Sequence, residues 1–264
     1  MGAVKNSGIG RMLRIDCGRA FLSGRFAVSV IMGVTVCYFA MLFCGYHSPA
    51  VHIFVYMHSK SIVFLALIAG VLPYSACFYA DFLHGNIRNV LGRADMGQYV
   101  FSKSVAAVAS SVAAFLLGKL IFVALYSARY PICPPQTMEA LKDVILYEDI
   151  VAKGWYALFF LLASLQMALY CGVLCQVVML VSIWIPNLSV MFSIPIGVFY
   201  VVTFHFRNIM NADFLNLTCI FDGVTRVWER DIWNFVYALF VAAALFLLLL
   251  RATIWAMRRK MYHV

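Results

Sequence analysis

The chain has 264 residues, of which 64% are hydrophobic and only 12% charged. A water-soluble domain carries roughly twice that charged fraction, so composition and a mean hydropathy of +0.91 make lipid the main solvent. Twenty Lys and Arg against eleven Asp and Glu give a net charge of +9, which in so apolar a chain reads as basic residues held on the cytoplasmic side, not as a nucleic-acid footprint.

The first 25 residues are polar and basic. Within them Met12, Leu13, Cys17, Ala20 and Phe21 share one helical face, with Arg11, Arg14, Asp16 and Arg19 on the others. That pattern predicts an amphipathic helix along the inner membrane surface. The apolar stretch that follows is a full span and not a short signal core, so no cleavable signal is expected.

Six apolar segments follow, at about 26–46, 62–80, 105–126, 155–181, 188–204 and 232–250. Each is long enough to cross roughly 30 Å of hydrocarbon at 1.5 Å per residue. They are predicted as helices because lipid offers no partner to an unpaired backbone group. Pro186 and Pro195 make the fifth the weakest, with a kink or break expected. The expected fold is all-α and integral to the membrane, one transmembrane domain over 1–264.

With the N-terminus inside, twelve Lys and Arg fall on inner segments and seven on outer ones. Both termini are therefore expected on the cytoplasmic side. Aromatics at span ends, such as Tyr46, Tyr126, Trp155, Trp184, Trp233 and Trp255, fit interfacial belts.

The first outer loop carries His47, His52 and His58 at spacings of five and six. No Cys or acid accompanies them and the spacing is not that of a helical metal site, so surface or interfacial histidines are expected and no metal. Lys119 stands well inside the third segment. It either faces a substrate path or snorkels to the outer headgroups. The eight cysteines form no dense framework; Cys171 and Cys175 read as packing residues, and pairing of Cys133 with Cys219 stays open. The loop 127–154 reads as an outer cap with an acidic helix from Thr137 to Asp149.

The polar stretch from Asp81 to Lys103 is the most informative. An acid ends the second segment, Gly85 permits a turn, a short helix can carry Ile87, Val90 and Leu91 on one side and Arg88 on another, and Gly92 and Gly97 break the chain before Lys103. The result is a compact cytoplasmic knob suited to a groove on a soluble partner. This stretch resembles the intracellular coupling region of type-2 ABC exporter permeases, through Asp81, Gly85, Arg88, Arg93 and Lys103, although family members often carry Glu where Asp81 stands. The six-segment pattern and the amphipathic N-terminal helix are similar too.

The resemblance implies a cytoplasmic coupling helix between spans two and three, and short outer re-entrant helices before span six, within the stretch 205–231. It implies a permease in the plasma membrane that exports an amphipathic peptide, a drug or a lipid-like molecule. The partners would be a separate ATP-binding-cassette ATPase, which carries ATP and Mg, and a second permease copy, identical or paralogous. On this chain no cofactor is expected. There is no Gly-rich phosphate loop followed by Lys-Ser or Lys-Thr, and no Ser-His-Asp or zinc-protease pattern, so no enzyme active site is expected. Two other readings remain: an ion-coupled carrier, disfavoured because no Asp or Glu lies inside a predicted span, and a non-transporting immunity or assembly protein.

Overall fold

The computed structural model describes residues 3–44, 48–59, 63–85, 87, 95–141, 145–202, 216–228 and 230–262. The described residues are 83% helix, with no strand among them. In chain order the helices are α1 (Ala3–Phe21), α2 (Gly24–Cys44), α3 (Ala50–Ser59), α4 (Val63–Val71), α5 (Cys77–Leu83), α6 (Met96–Ser127), α7 (Pro135–Leu141), α8 (Glu148–Ala152), α9 (Tyr156–Trp184), α10 (Leu188–Tyr200), α11 (Leu217–Phe221) and α12 (Asp231–Tyr262).

Four of these are long and apolar enough to cross a membrane: Gly24–Phe43, Met96–Ser127, Tyr156–Trp184 and Asp231–Met261. They correspond to the first, third, fourth and sixth predicted segments. The chain is thus a multi-pass membrane protein by helix length and composition. At 1.5 Å per residue, the 32 residues of α6 run about 48 Å, well beyond the hydrocarbon. Asp95 starts this helix by accepting the Gly97 N–H at 3.0 Å.

The second predicted segment differs from the expectation, and the fifth is described only in part. The second is two short helices, α4 and α5, separated by a turn over 72–76. Pro73 sits in that turn; it has no N–H and its ring clashes with the carbonyl four residues back. The fifth is the 13-residue α10 with Pro195 inside it, followed by a widened turn at 201–202. Two further corrections concern connections between the spans. The predicted first outer loop contains α3, whose Val51, Ile53 and Phe54 are buried. The acidic helix expected over 137–149 is instead α7 and α8, broken where Tyr147 takes a left-handed backbone with φ +67°. Within the stretch 205–231, where short helices are expected, α11 is a helix of five residues, while 203–215 lies outside the described residues.

The α6 and α9 helices form the centre, with α2 and α1 packed on α6 and α12 on α9. The apolar stretch of α9 is 72% buried and that of α12 only 17%, so α9 is the axial helix and α12 the most exposed of the four. Two apolar cores result. One lies among α4, α5, α6, α9 and α12 around Phe78, Phe115, Tyr170 and Met179; the other joins α2, α3 and the far ends of α6 and α9 around Phe54, Phe122 and Phe159. Buried amides fasten these layers: Gln176 Nε2 donates to Ser104 Oγ at 3.1 Å, and Gln166 links the Tyr147 hydroxyl (2.7 Å) to the Ile220 carbonyl (2.5 Å). The α9 C-terminus is capped by Lys260 of α12, which donates to the Ile183 carbonyl.

Candidate functional site

The foot of α6 assembles a charged cluster from three distant stretches. Tyr99, Ser102 and Lys103 come from α6, Asp81 from α5, Tyr74 from the turn before α5, and Asp16 from α1. On α6, Tyr99 and Lys103 are four residues apart and so share a face. Lys103 Nζ lies 2.8 Å from Asp81 Oδ2, 3.6 Å from Asp16 Oδ1 and 3.3 Å from the Tyr74 hydroxyl. Asp81 and the Tyr74 hydroxyl are within hydrogen-bond reach of the ammonium, and Asp16, just beyond it, adds Coulomb attraction. The Tyr99 hydroxyl donates to Asp81 Oδ2 at 2.5 Å. Asp16 accepts from the Tyr74 hydroxyl at 3.0 Å and from Ser102 Oγ at 2.6 Å.

Two acids share one ammonium here, and three hydroxyl contacts supply the remaining donors. Lys103 is 3% exposed, Asp16 5% and Asp81 9%, so the charges are held away from water. In that setting the Coulomb attraction is strong, and an unpaired member would be costly. The Lys103 ammonium also lies 5.3 Å from the centroids of both the Tyr74 and Tyr99 rings.

Of the five residues singled out between 81 and 103, the structure brings Asp81 and Lys103 together as an inward-facing ion pair. Gly85 sits just beyond α5 with φ +65° and open space around it, the turn its sequence position anticipates. Arg88 and Arg93 lie outside the described residues. Ile87, on the predicted apolar side of that stretch, is buried at 4%. Sequence reasoning did not find Asp16 as a member; it appeared only as a polar residue on an amphipathic helix. The available signal was that it is the sole acid among five basic residues in the first 25 positions.

A second buried polar pair lies farther up α6. Lys119 is 3% exposed and its ammonium turns inward, 2.7 Å from His58 Nε2. The snorkelling alternative is therefore not adopted. His58 Nδ1 is 2.7 Å from the Phe54 carbonyl. A carbonyl only accepts, so Nδ1 carries the proton and Nε2 is the lone pair that receives the Lys119 donor. The ammonium lies 5.2 Å from the Phe54 ring and 5.0 Å from the Phe115 ring. No carboxylate pairs with it among the described residues.

His58, expected at a surface or interface, is thus buried. His47 lies outside the described residues, and no group of three metal-ligating side chains occurs among the described ones. Cys133 is a free thiol, and Cys171 and Cys175 are buried in the core, as expected of packing residues. No protein-family model, curated protein or solved structure matches the chain.

Proposed function

We propose that this chain is the membrane-spanning permease subunit of an ATP-driven ABC exporter. In this reading α4 and α5 make a broken second crossing and α10 begins the fifth, giving six crossings with both termini on the cytoplasmic side of the plasma membrane. Two copies, or two paralogues, pack around a path for an amphipathic peptide, drug or lipid-like molecule. A separate ATP-binding-cassette subunit binds ATP and Mg and docks on the connection 84–95, with Arg88 and Arg93 as its contacts.

The observation that supports this reading is the Asp16–Lys103–Asp81 cluster. It ties α1, α5 and α6 together at the two ends of that connection. Separating any one of them strands a buried charge, so a push on the connection moves the three as a body. Asp81 and Lys103 then act as the brace beneath the docking segment, and Gly85 as its turn. The Lys119–His58 pair favours a second reading, an ion-coupled carrier, because it places a proton-binding pair inside the membrane.

Inside-out vesicles separate the two. A fluorescent cationic amphipathic peptide accumulates with ATP and the ATPase subunit, and a protonophore leaves that uptake unchanged, if the chain is an exporter permease. Uptake driven by an imposed pH gradient without ATP assigns the chain to the second reading.

A further inference from the structure

An open cavity of about 790 Å3 lies where α8 meets the start of α12, on the face opposite α1. Glu148, Asp149 and Asp231 bring three carboxylates to it, and Arg226 and Arg230 two guanidiniums. These charges do not quench one another in tight contacts. Arg226 Nη2 stands 3.8 Å from Glu148 Oε2 and 3.7 Å from Asp231 Oδ1, each roughly half an ångström beyond a hydrogen bond. Arg226 is thus held between two acids by Coulomb attraction, without a short N–H contact to either.

The rest of the wall is apolar. Ile150 and Leu162 lie on one side, and Ile232 and Phe235 on the first turns of α12. That helix is the least buried of the four candidate spans. Exposed tryptophans gather at the same level: Trp155 at the start of α9, and Trp228 and Trp233 flanking the start of α12. Amphipathic rings at span ends mark the headgroup layer. The cavity therefore opens at headgroup depth, with an apolar lip leading down the exposed side of α12.

We infer that this cavity binds a zwitterionic phospholipid whose headgroup carries a phosphate and a primary ammonium. The phosphate sits against Arg226 and Arg230, whose planar forks match its oxygens. The ammonium, with three donors, sits against Asp149 and the neighbouring carboxylates. The start of one acyl chain lies along Ile232 and Phe235. Three acids against two guanidiniums disfavour a net anionic lipid. A quaternary ammonium is disfavoured as well, because it needs an aromatic cage. The aromatic lining residues are Phe235 and Tyr147, and Tyr147 is 1% exposed with its hydroxyl bound to Gln166. The volume suits a headgroup with its glycerol better than a lone phosphate. This site does not depend on the chain being a transporter.

Native mass spectrometry of the full chain, purified in micelles with equimolar phosphatidylethanolamine, phosphatidylcholine and phosphatidylglycerol, tests it. The expected result is at least five-fold more retained phosphatidylethanolamine than either other lipid. Arg226→Gln with Arg230→Gln lowers that retention about ten-fold. Should this double variant fail to fold, Asp149→Asn carries the test: it leaves the thermal midpoint in place and brings ethanolamine and choline lipids to equal retention. Excess water-soluble glycerophosphoethanolamine leaves the lipid bound if the site reads a lipid, and displacement at equal concentration overturns the lipid assignment. Equal retention of all three lipids, or enrichment of phosphatidylglycerol, overturns the inference.

Discussion

Lys103 Nζ lies 2.8 Å from Asp81 Oδ2, and both side chains are withdrawn from solvent beside a second acid, Asp16. This geometry makes the cation indispensable to both carboxylates. Lys103→Met keeps the length of the side chain but leaves two buried acids without a counter-charge. It is expected to cost about 3–5 kcal/mol. Adding Asp81→Asn to that variant restores more than half of the loss, since only Asp16 then stays charged and it keeps its Tyr74 and Ser102 donors. Thermal unfolding in detergent, followed by thiol-reactive fluorescence, checks both values as a double-mutant cycle.

The Lys119–His58 pair predicts an inequality. His58→Phe preserves the packing against Phe54 but removes the acceptor of the Lys119 ammonium, leaving a buried cation facing only rings. A loss of about 2–4 kcal/mol is expected. Lys119→Met removes the charge itself and should cost less. The same unfolding assay ranks the two variants; a larger loss for Lys119→Met contradicts the assignment of the ammonium as donor.

At the crossing of α2 and α6 the backbones meet through glycines. A Cβ on Gly118 would stand 3.2 Å from the Val30 carbonyl oxygen and 3.3 Å from the Gly33 Cα. Both neighbours are backbone and cannot swing aside, so Gly118→Val should cost about 1–3 kcal/mol by prising the helices apart. The Cβ of Gly33→Ala meets the Gly118 Cα at 3.5 Å, an ordinary contact, and this variant should be nearly neutral. Comparing the two melting midpoints tests the crossing.

Asp222, in the turn after α11, supplies a pH dependence. Burial raises its carboxyl to about 6, against the opposing pull of hydrogen bonds from Thr225 and Val224. A carboxyl whose folded pKa is raised favours the protonated folded state. Its contribution is therefore fully present at low pH and is lost as pH rises from the usual carboxyl range to about 6. The change is at most ~3 kcal/mol. Asp222→Asn keeps an oxygen for the two backbone amides and should flatten the stability profile between those limits, as read from melting midpoints across a pH series.

What the sequence revealed follows the range of the forces involved. Four spans were legible because lipid imposes length and apolarity on every residue of a segment, and α2, α6, α9 and α12 satisfy both alone. The second segment was less legible because its break depends on a single proline, whereas α10 continues through Pro195. Pro73 ends α4 at a turn, which a count of apolar residues passes over. The α3 helix was missed because ten residues between two spans look like a loop, and only its packing on α2 and α6 shows it to be core. Asp81 and Lys103 were legible as marked residues, but their mutual pairing was not. That Asp16 completes the cluster, or that His58 meets Lys119, depends on contacts across 86 and 61 residues that no local pattern encodes.

The central claim is that the connection 84–95 docks an ATPase and that the cluster at its foot carries the motion. Affinity purification of the chain co-expressed with a candidate ATP-binding-cassette subunit from the same cell, followed by ATP turnover in nanodiscs, tests this most directly. The account predicts that the ATPase is retained in stoichiometric amount, and that Arg88→Glu with Arg93→Glu releases it or lowers turnover at least ten-fold. A chain that purifies without any ATPase, or a complex whose turnover ignores both substitutions, contradicts the account.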